Sequence, residues 1–318
     1  MSVVRDAIKR QSKHKDKLLT PLLLRFMTEN ELFKFNDDAI KIANNIMKQE
    51  RVARNNAVFH PSGSYQCMRK QVLDVIGWEG TREEELQLLS IFDDGKWRHL
   101  RWHLLLYRMG VSDKIEEEQG GILKRTRGTP DQILNLSEHY PFLAGKRVGF
   151  EMKGTHSRRY NSIVRDNRPI FFHLYQIVTY MVNAGIDVYT LVYENKDTQE
   201  FYEFNLVTDK KYLKHIDAIY LPKLFSKYIM ARNLYMNRSI ENGVLPAHEC
   251  TMEKDDTEFV KCPQKDNCAK LTKKKKVRTA KEFPNRITIE DKLYRLGKKK
   301  EARTYAKYDQ RERAYIEA

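Results

Sequence analysis

Apolar positions in this chain recur with two different periods, and the change from one to the other divides the sequence. From about Leu18 to Asn56 they return every three or four residues, as in Ala39, Ile40, Ile42, Ala43, Ile46 and Met47, which predicts two helices with an apolar stripe. Thr28 to Glu31 (TENE) has the pattern of a capping box and marks a helix start. A third helical segment is predicted around Tyr65 to Ile76, and a longer one between Arg82 and Met109 that stops at Gly110. From about Lys114 to Lys153 the pattern becomes short, extended and punctuated by turn residues. It includes GG at 120, RGTPD at 127–131, and the strand-like run Arg147-Val-Gly-Phe-Glu-Met-Lys. Helical spacing returns from Ile170 to Asn183. Two strand candidates follow, Val188 to Tyr193 and Glu200 to Leu206, with a turn near Asn195 to Thr198. A helical stretch from Asp209 to Asn242, a cysteine-bearing loop from Cys250 to Cys268 and a basic tail complete the chain. No repeat is visible, and the order of elements predicts an α/β core with helical N-terminal additions.

Composition changes this picture in two ways. Hydrophobic residues are 41% and charged residues 32% of the 318, which suits a folded protein with a heavily solvated surface. The formal net charge of +15 favours polyanionic partners such as nucleic acid. That charge is concentrated: residues 269–318 hold 17 basic and 7 acidic residues, a net of +10. No apolar run approaches a membrane span, and the opening MSVVRDAIKRQSKHKDK lacks the apolar core of a signal peptide, so a cytoplasmic protein without a membrane partner is expected.

The candidate chemistry lies where the pattern turns extended. Gly128-Thr-Pro-Asp131 is followed twenty residues later by Glu151-Met-Lys153 on a predicted strand. On a strand, residues i and i+2 share a face, so Glu151 and Lys153 project together while Met152 turns into the core. With Asp131 on a neighbouring strand, two carboxylates converge on a hard cation, and Lys153 becomes a preorganised donor to a phosphate under attack. So short a pattern is also compatible with a surface turn and a salt-bridged strand. Gly95-Lys-Trp-Arg-His99 adds an imidazole on a helix, and Gln176-Ile-Val-Thr-Tyr180 puts an amide and a phenol on one helical face.

Four cysteines, Cys67, Cys250, Cys262 and Cys268, suit thiols or metal ligands better than a disulfide framework in such a protein. Four thiolates fit an iron–sulfur cluster or tetrahedral Zn²⁺, and scattered buried thiols are the third reading. In the tail, Lys273, Lys274, Lys275, Lys276 and Arg278 form a basic run suited to nucleic-acid backbone contact, with a solvated face or a localisation signal as alternatives.

The series GxxxH, GxPD, ExK and QxxxY, in this order, resembles the RecB-like branch of the PD-(D/E)XK nucleases, including bacterial recombination exonucleases and CRISPR-associated relatives. The resemblance implies a restriction-endonuclease-like mixed sheet flanked by helices. It implies His99, Asp131 and Glu151 as ligands of Mg²⁺ or Mn²⁺, Lys153 as the catalytic lysine, and Gln176 and Tyr180 as supports of the site or the nucleic acid. The split cysteine set, one early and three late, also resembles the AddB-type and CRISPR-associated members. There it implies a four-iron four-sulfur cluster that closes the domain, although eleven residues separate Cys250 from Cys262, more than that pattern has. The expected organisation is a helical region at 1–60, a nuclease domain at 61–268 and a basic extension at 269–318. The expected activity is metal-dependent cleavage of DNA, as an exonuclease on ends or single strands, in a bacterial cell or phage-infected host. No GxxxxGK[ST] loop is present, so any helicase or recombination partner is a separate chain. A nucleic-acid-binding or assembly protein that keeps the fold without the activity is the rival reading.

Overall fold

A computed structural model describes residues 17–29, 37–48, 57–81, 86–115, 121–250 and 261–273. Its helices are α1 (Thr20–Glu29), α2 (Asp37–Lys48), α3 (Met68–Val75), α4 (Leu86–Arg108), α5 (Ser157–Asp166), α6 (Phe171–Ala184), α7 (Lys223–Glu241) and α8 (Lys265–Lys273). Its strands are β1 (Ser112–Ile115), β2 (Gln132–Leu134), β3 (Val148–Thr155), β4 (Val188–Asn195), β5 (Phe201–Val207) and β6 (Ala218–Tyr220).

The strands form one six-stranded sheet in sequence order. It is mixed: β3 with β4 and β5 with β6 run parallel, and the other neighbours run antiparallel. The β3–β4 connection carries α5 and α6, as a parallel pair requires a crossover. All eight residues of β4 are buried, which is why its sequence VYTLVYEN lacks a clean alternation. The polar members of this strand are paired, as where Thr190 donates to Asn205 Oδ1 on β5 at 3.0 Å.

By internal contacts the chain divides into two units, Met1–Arg54 with Glu84–Gly120 and Arg127–Leu221, and Asn55–Glu83 with Gly121–Thr126 and Pro222–Ala318. The first holds the sheet. Its core packs Trp102 and Leu106 of α4 against Phe150, Met152, Val188 and Val192, and it takes in Leu18, Leu19 and Leu23 from the N-terminal stretch. Glu203 of β5, 2% exposed, caps α1 from across the sequence: its carboxylate accepts the N–H groups of Leu18, Leu19 and Thr20 and the Thr20 hydroxyl. The second unit packs α3 and α7 around Met68, Val72 and Met236.

Several sequence expectations change. Thr28 lies in the last turns of α1, where its hydroxyl donates back to the carbonyls of Leu24 and Arg25; it starts no helix, and Glu31 lies outside the described residues. The stretch 209–242 holds a 3₁₀ turn and strand β6 before α7 begins at Lys223, because Pro222 can precede a helix but not sit within one. Helix α5 was not anticipated. Cys268 stands on α8 rather than in a loop. Gly110, at φ +72°, ends the turn after α4 in a conformation costly for a side chain. Among the described residues, no helix is long and apolar enough to cross a membrane.

Candidate active site

The buried half of β3 explains the geometry of the candidate residues. Met152 is 1% exposed within the core, so Glu151 and Lys153 both face the other side of the sheet. Antiparallel pairing of Gln132 with Phe150 sets β2 beside them, and Asp131 stands one residue before β2. Asp131 Oδ2 accepts the Met152 N–H at 2.7 Å, which pins the carboxylate to the strand that carries Glu151. Asp131 Oδ1 lies 3.1 Å from His99 Nδ1, brought in by α4.

Glu151 Oε1 accepts from Lys153 Nζ at 2.5 Å and from Gln176 Nε2 of α6 at 2.8 Å. Its Oε2 lies 3.5 Å from the Tyr189 hydroxyl of β4. Tyr180, one turn beyond Gln176, instead donates to the Thr129 carbonyl at 2.9 Å and so holds the loop that presents Asp131. The i and i+4 positions on α6 therefore serve strand β3 and the loop before β2. Tyr189 fits here because position 149 is glycine: a Cβ there would meet the tyrosine ring at 2.2 Å.

Charge follows this geometry. Burial, and then the neighbouring Asp131 charge, push the Glu151 carboxyl up to about 7. Burial also pushes Asp131 upward, but His99, Lys153 and the Met152 N–H outweigh it and bring the carboxyl below its ordinary value. Burial would depress His99 and Lys153; Asp131 holds the first above its ordinary value and Glu151 the second. Two buried carboxylates and an imidazole form a donor set suited to a hard divalent cation, and their mutual repulsion is what such a cation relieves. Among the described residues, no group of three or more His, Cys, Asp or Glu side chains is arranged to hold a metal ion.

The four cysteines lie in the second unit, all as thiols. Cys67 precedes α3, and the residues on either side of it are tied to Glu249: Met68 N–H donates to Glu249 Oε2 at 2.6 Å, while Arg232 bridges Glu249 and the Gln66 carbonyl. Cys250 is the next residue. On the other side, Gln264 donates to Asp74 Oδ1 and the Trp78 carbonyl, and Thr81 N–H donates to the Pro263 carbonyl. Burial pushes the Cys268 thiol up to about 12, with further upward contributions from Cys67, Cys262 and Cys250. Of the basic run, Lys273 ends α8, and Lys274, Lys275, Lys276 and Arg278 lie outside the described residues.

Sequence reading passed over His173 and gave no role to Tyr189 and Tyr193. Their places depend on strand register, in which Glu151 pairs with Leu191 and Lys153 with Tyr193, and no local spacing encodes that.

No protein-family model matches this chain, and no curated protein matches its sequence. Among solved structures it is similar, at low identity, to an alkaline exonuclease (LHK-Exo) from Laribacter hongkongensis. The identity is 11% and the TM-score 0.40, with 60% of this chain and 93% of that one covered. The same exonuclease in complex with dAMP gives 11% and 0.39, over 59% and 92%. SSO0001 gives 14% and 0.38, over 74% and 96%.

Proposed function

We propose that this chain is a divalent-metal-dependent deoxyribonuclease of the PD-(D/E)XK type, acting on DNA ends or single strands by hydrolysis of the phosphodiester backbone. One observation carries the reading: Asp131 and Glu151 lie buried at 8% and 2% exposure, side by side, with Lys153 on the same face of the same strand as Glu151. Burying two carboxylates together costs stability, and a fold keeps such a pair where chemistry requires it. In this reading Asp131, Glu151 and His99 hold Mg²⁺ or Mn²⁺, which supplies positive charge to a phosphate under attack.

The chain's own residues do the rest. Lys153 donates to a nonbridging phosphate oxygen and balances the charge that develops there. Gln176 fixes the Glu151 carboxylate, and Tyr180 holds the loop before Asp131. Water adds to phosphorus, the bond to one bridging oxygen breaks, and the products are a phosphomonoester and a hydroxyl. Any duplex unwinding falls to a separate helicase or recombination protein. The basic run from Lys273 to Arg278 supplies backbone affinity.

The same reading gives the four cysteines one shared cofactor, an iron–sulfur cluster, with structural Zn²⁺ as the alternative occupant. Support comes from the donor chemistry of four thiols in one unit and from the two hydrogen-bond networks that bring their chain segments to α3.

The test is cleavage of end-labelled DNA with Mg²⁺ or Mn²⁺. Asp131→Ala, Glu151→Gln and Lys153→Ala each abolish it while DNA binding and folding survive. Full activity in any two of these variants overturns the assignment.

A further inference from the structure

The amino end of α6 carries groups that the proposed chemistry does not use. His173 lies one turn before Gln176 and so on the same helix face. Its Nδ1 stands 2.8 Å from the hydroxyl of Tyr193, the β4 residue in register with Lys153. That hydroxyl already accepts the Ile170 N–H at 2.9 Å. The pairing that strands no buried hydroxyl proton has Tyr193 donating to Nδ1, which assigns the ring proton to Nε2. The hydrogen bond to Tyr193 uses Nδ1, and the His173 side chain is only half-buried, which leaves Nε2 as the donor toward a ligand.

The surroundings are basic and aromatic. Burial, then Lys153 and Arg159, hold the His173 ring well below its ordinary pKa, so it is a neutral donor beside two cations. The Phe172 ring packs edge-on against His173 at 4.2 Å, is 37% exposed, and lies 5.8 Å from the Arg159 guanidinium. A solvent-facing aromatic ring next to a fixed N–H donor and an arginine matches the chemistry of an unpaired nucleotide, whose base stacks while its phosphate accepts hydrogen bonds.

We propose that His173, Phe172 and Arg159 form a subsite for one unpaired nucleotide beside the candidate cleavage centre, with Nε2–H of His173 on the phosphate, Phe172 under the base and Arg159 countering the charge. This rests on the nuclease reading for its ligand class. It assigns the strand entering the centre a single-stranded character on that side, because a base within a duplex presents no face for Phe172 to stack on.

The experiment measures equilibrium binding of a dye-labelled single-stranded oligonucleotide in EDTA, by fluorescence anisotropy, together with the melting temperature of each variant. His173→Ala and Phe172→Ala each weaken binding about tenfold, in line with the loss of one stacking or phosphate contact. His173→Gln, which places an amide N–H near the Nε2 position, stays within about threefold of the parent. Arg159→Ala lowers the salt slope by about 0.7, the value of one phosphate contact on a single strand. If His173→Ala does not fold, Phe172→Ala and His173→Gln decide. Variants that bind as tightly as the parent overturn the subsite, and so does a parent protein with no affinity for the oligonucleotide. If the variants weaken binding but the parent shows no metal-dependent cleavage, the subsite stands and the nuclease reading fails.

Discussion

Glu151 carries a pH signal close to neutrality. Its carboxyl, ordinarily near 4.5, is pushed up to about 7 by burial and by Asp131. The ionised form is therefore disfavoured in the fold: this group costs no stability below pH about 4.5, and its full destabilisation is present above about 7. A divalent cation relieves that cost only where Glu151 is ionised, and below pH 7 it must first displace a proton. Mg²⁺ should accordingly raise the melting temperature more at pH 8 than at pH 6, with protons released on binding at the lower pH, and Glu151→Gln should remove most of the difference. Calorimetry in two buffers of different ionisation enthalpy checks it; equal Mg²⁺ stabilisation at both pH values would count against Glu151 as a ligand. At this scale much was legible in the sequence, because Glu151 and Lys153 share a strand face by period alone. Tyr189 and His173 were not legible, since what places them is the pairing of β3 with β4 and the missing Cβ at Gly149.

Helix α4 delivers His99, and a buried carboxylate sets where it stops. Glu194 of β4, 1% exposed, accepts from Arg98 at 2.5 Å, from Trp102 Nε1 at 2.6 Å and from Arg101. These three donors, at positions i, i+3 and i+4 of the helix, bracket His99, so Glu194 fixes the rotation of α4 against the sheet. Glu194→Ala leaves two guanidinium groups and an indole N–H without their acceptor, a loss on the order of 3 kcal/mol. Urea denaturation should show this, with a smaller loss for Glu194→Gln and a weaker metal affinity in both. A midpoint unchanged in Glu194→Ala would show that α4 is held by its apolar contacts alone. Elements with long periodic stripes, such as α2 and α6, could be read from the sequence. Helix α5 could not: its inward face consists of Tyr160 and Ile163 only, too few apolar positions for a period to register, and its end depends on Asn167 at φ 46°. Strand β6 is three residues long and sits between charged turns, so it reads as a continuation of its helical neighbours.

For the molecule as a whole, the cysteines and the tail make separable predictions. If one cofactor is shared, Cys67→Ser, Cys250→Ser, Cys262→Ser and Cys268→Ser each lose all of it rather than a quarter. An anaerobic preparation should show broad visible absorption bleached by dithionite, whereas a colourless protein with zinc favours the tetrahedral site. Metal analysis that finds neither iron nor zinc disproves the shared cofactor. Removing the residues after Lys273 should weaken DNA binding and flatten its salt dependence while cleavage at saturating DNA survives; an identical salt slope would assign the tail another role. The two networks around α3 were beyond sequence reading, because Glu249, Arg232 and Gln264 carry no motif and acquire their partners only through the fold.

The cap on α1 bears on how the chain is made. Leu18 and the carboxylate of Glu203 that receives its N–H are 185 positions apart. During synthesis the opening leucines leave the ribosome long before β5 exists, and the carboxylate that caps their helix is missing until it does. The earliest part of the described chain is thus among the last to be secured. A nascent chain halted before residue 203 would leave those N–H groups without their acceptor, and released intact it would supply it.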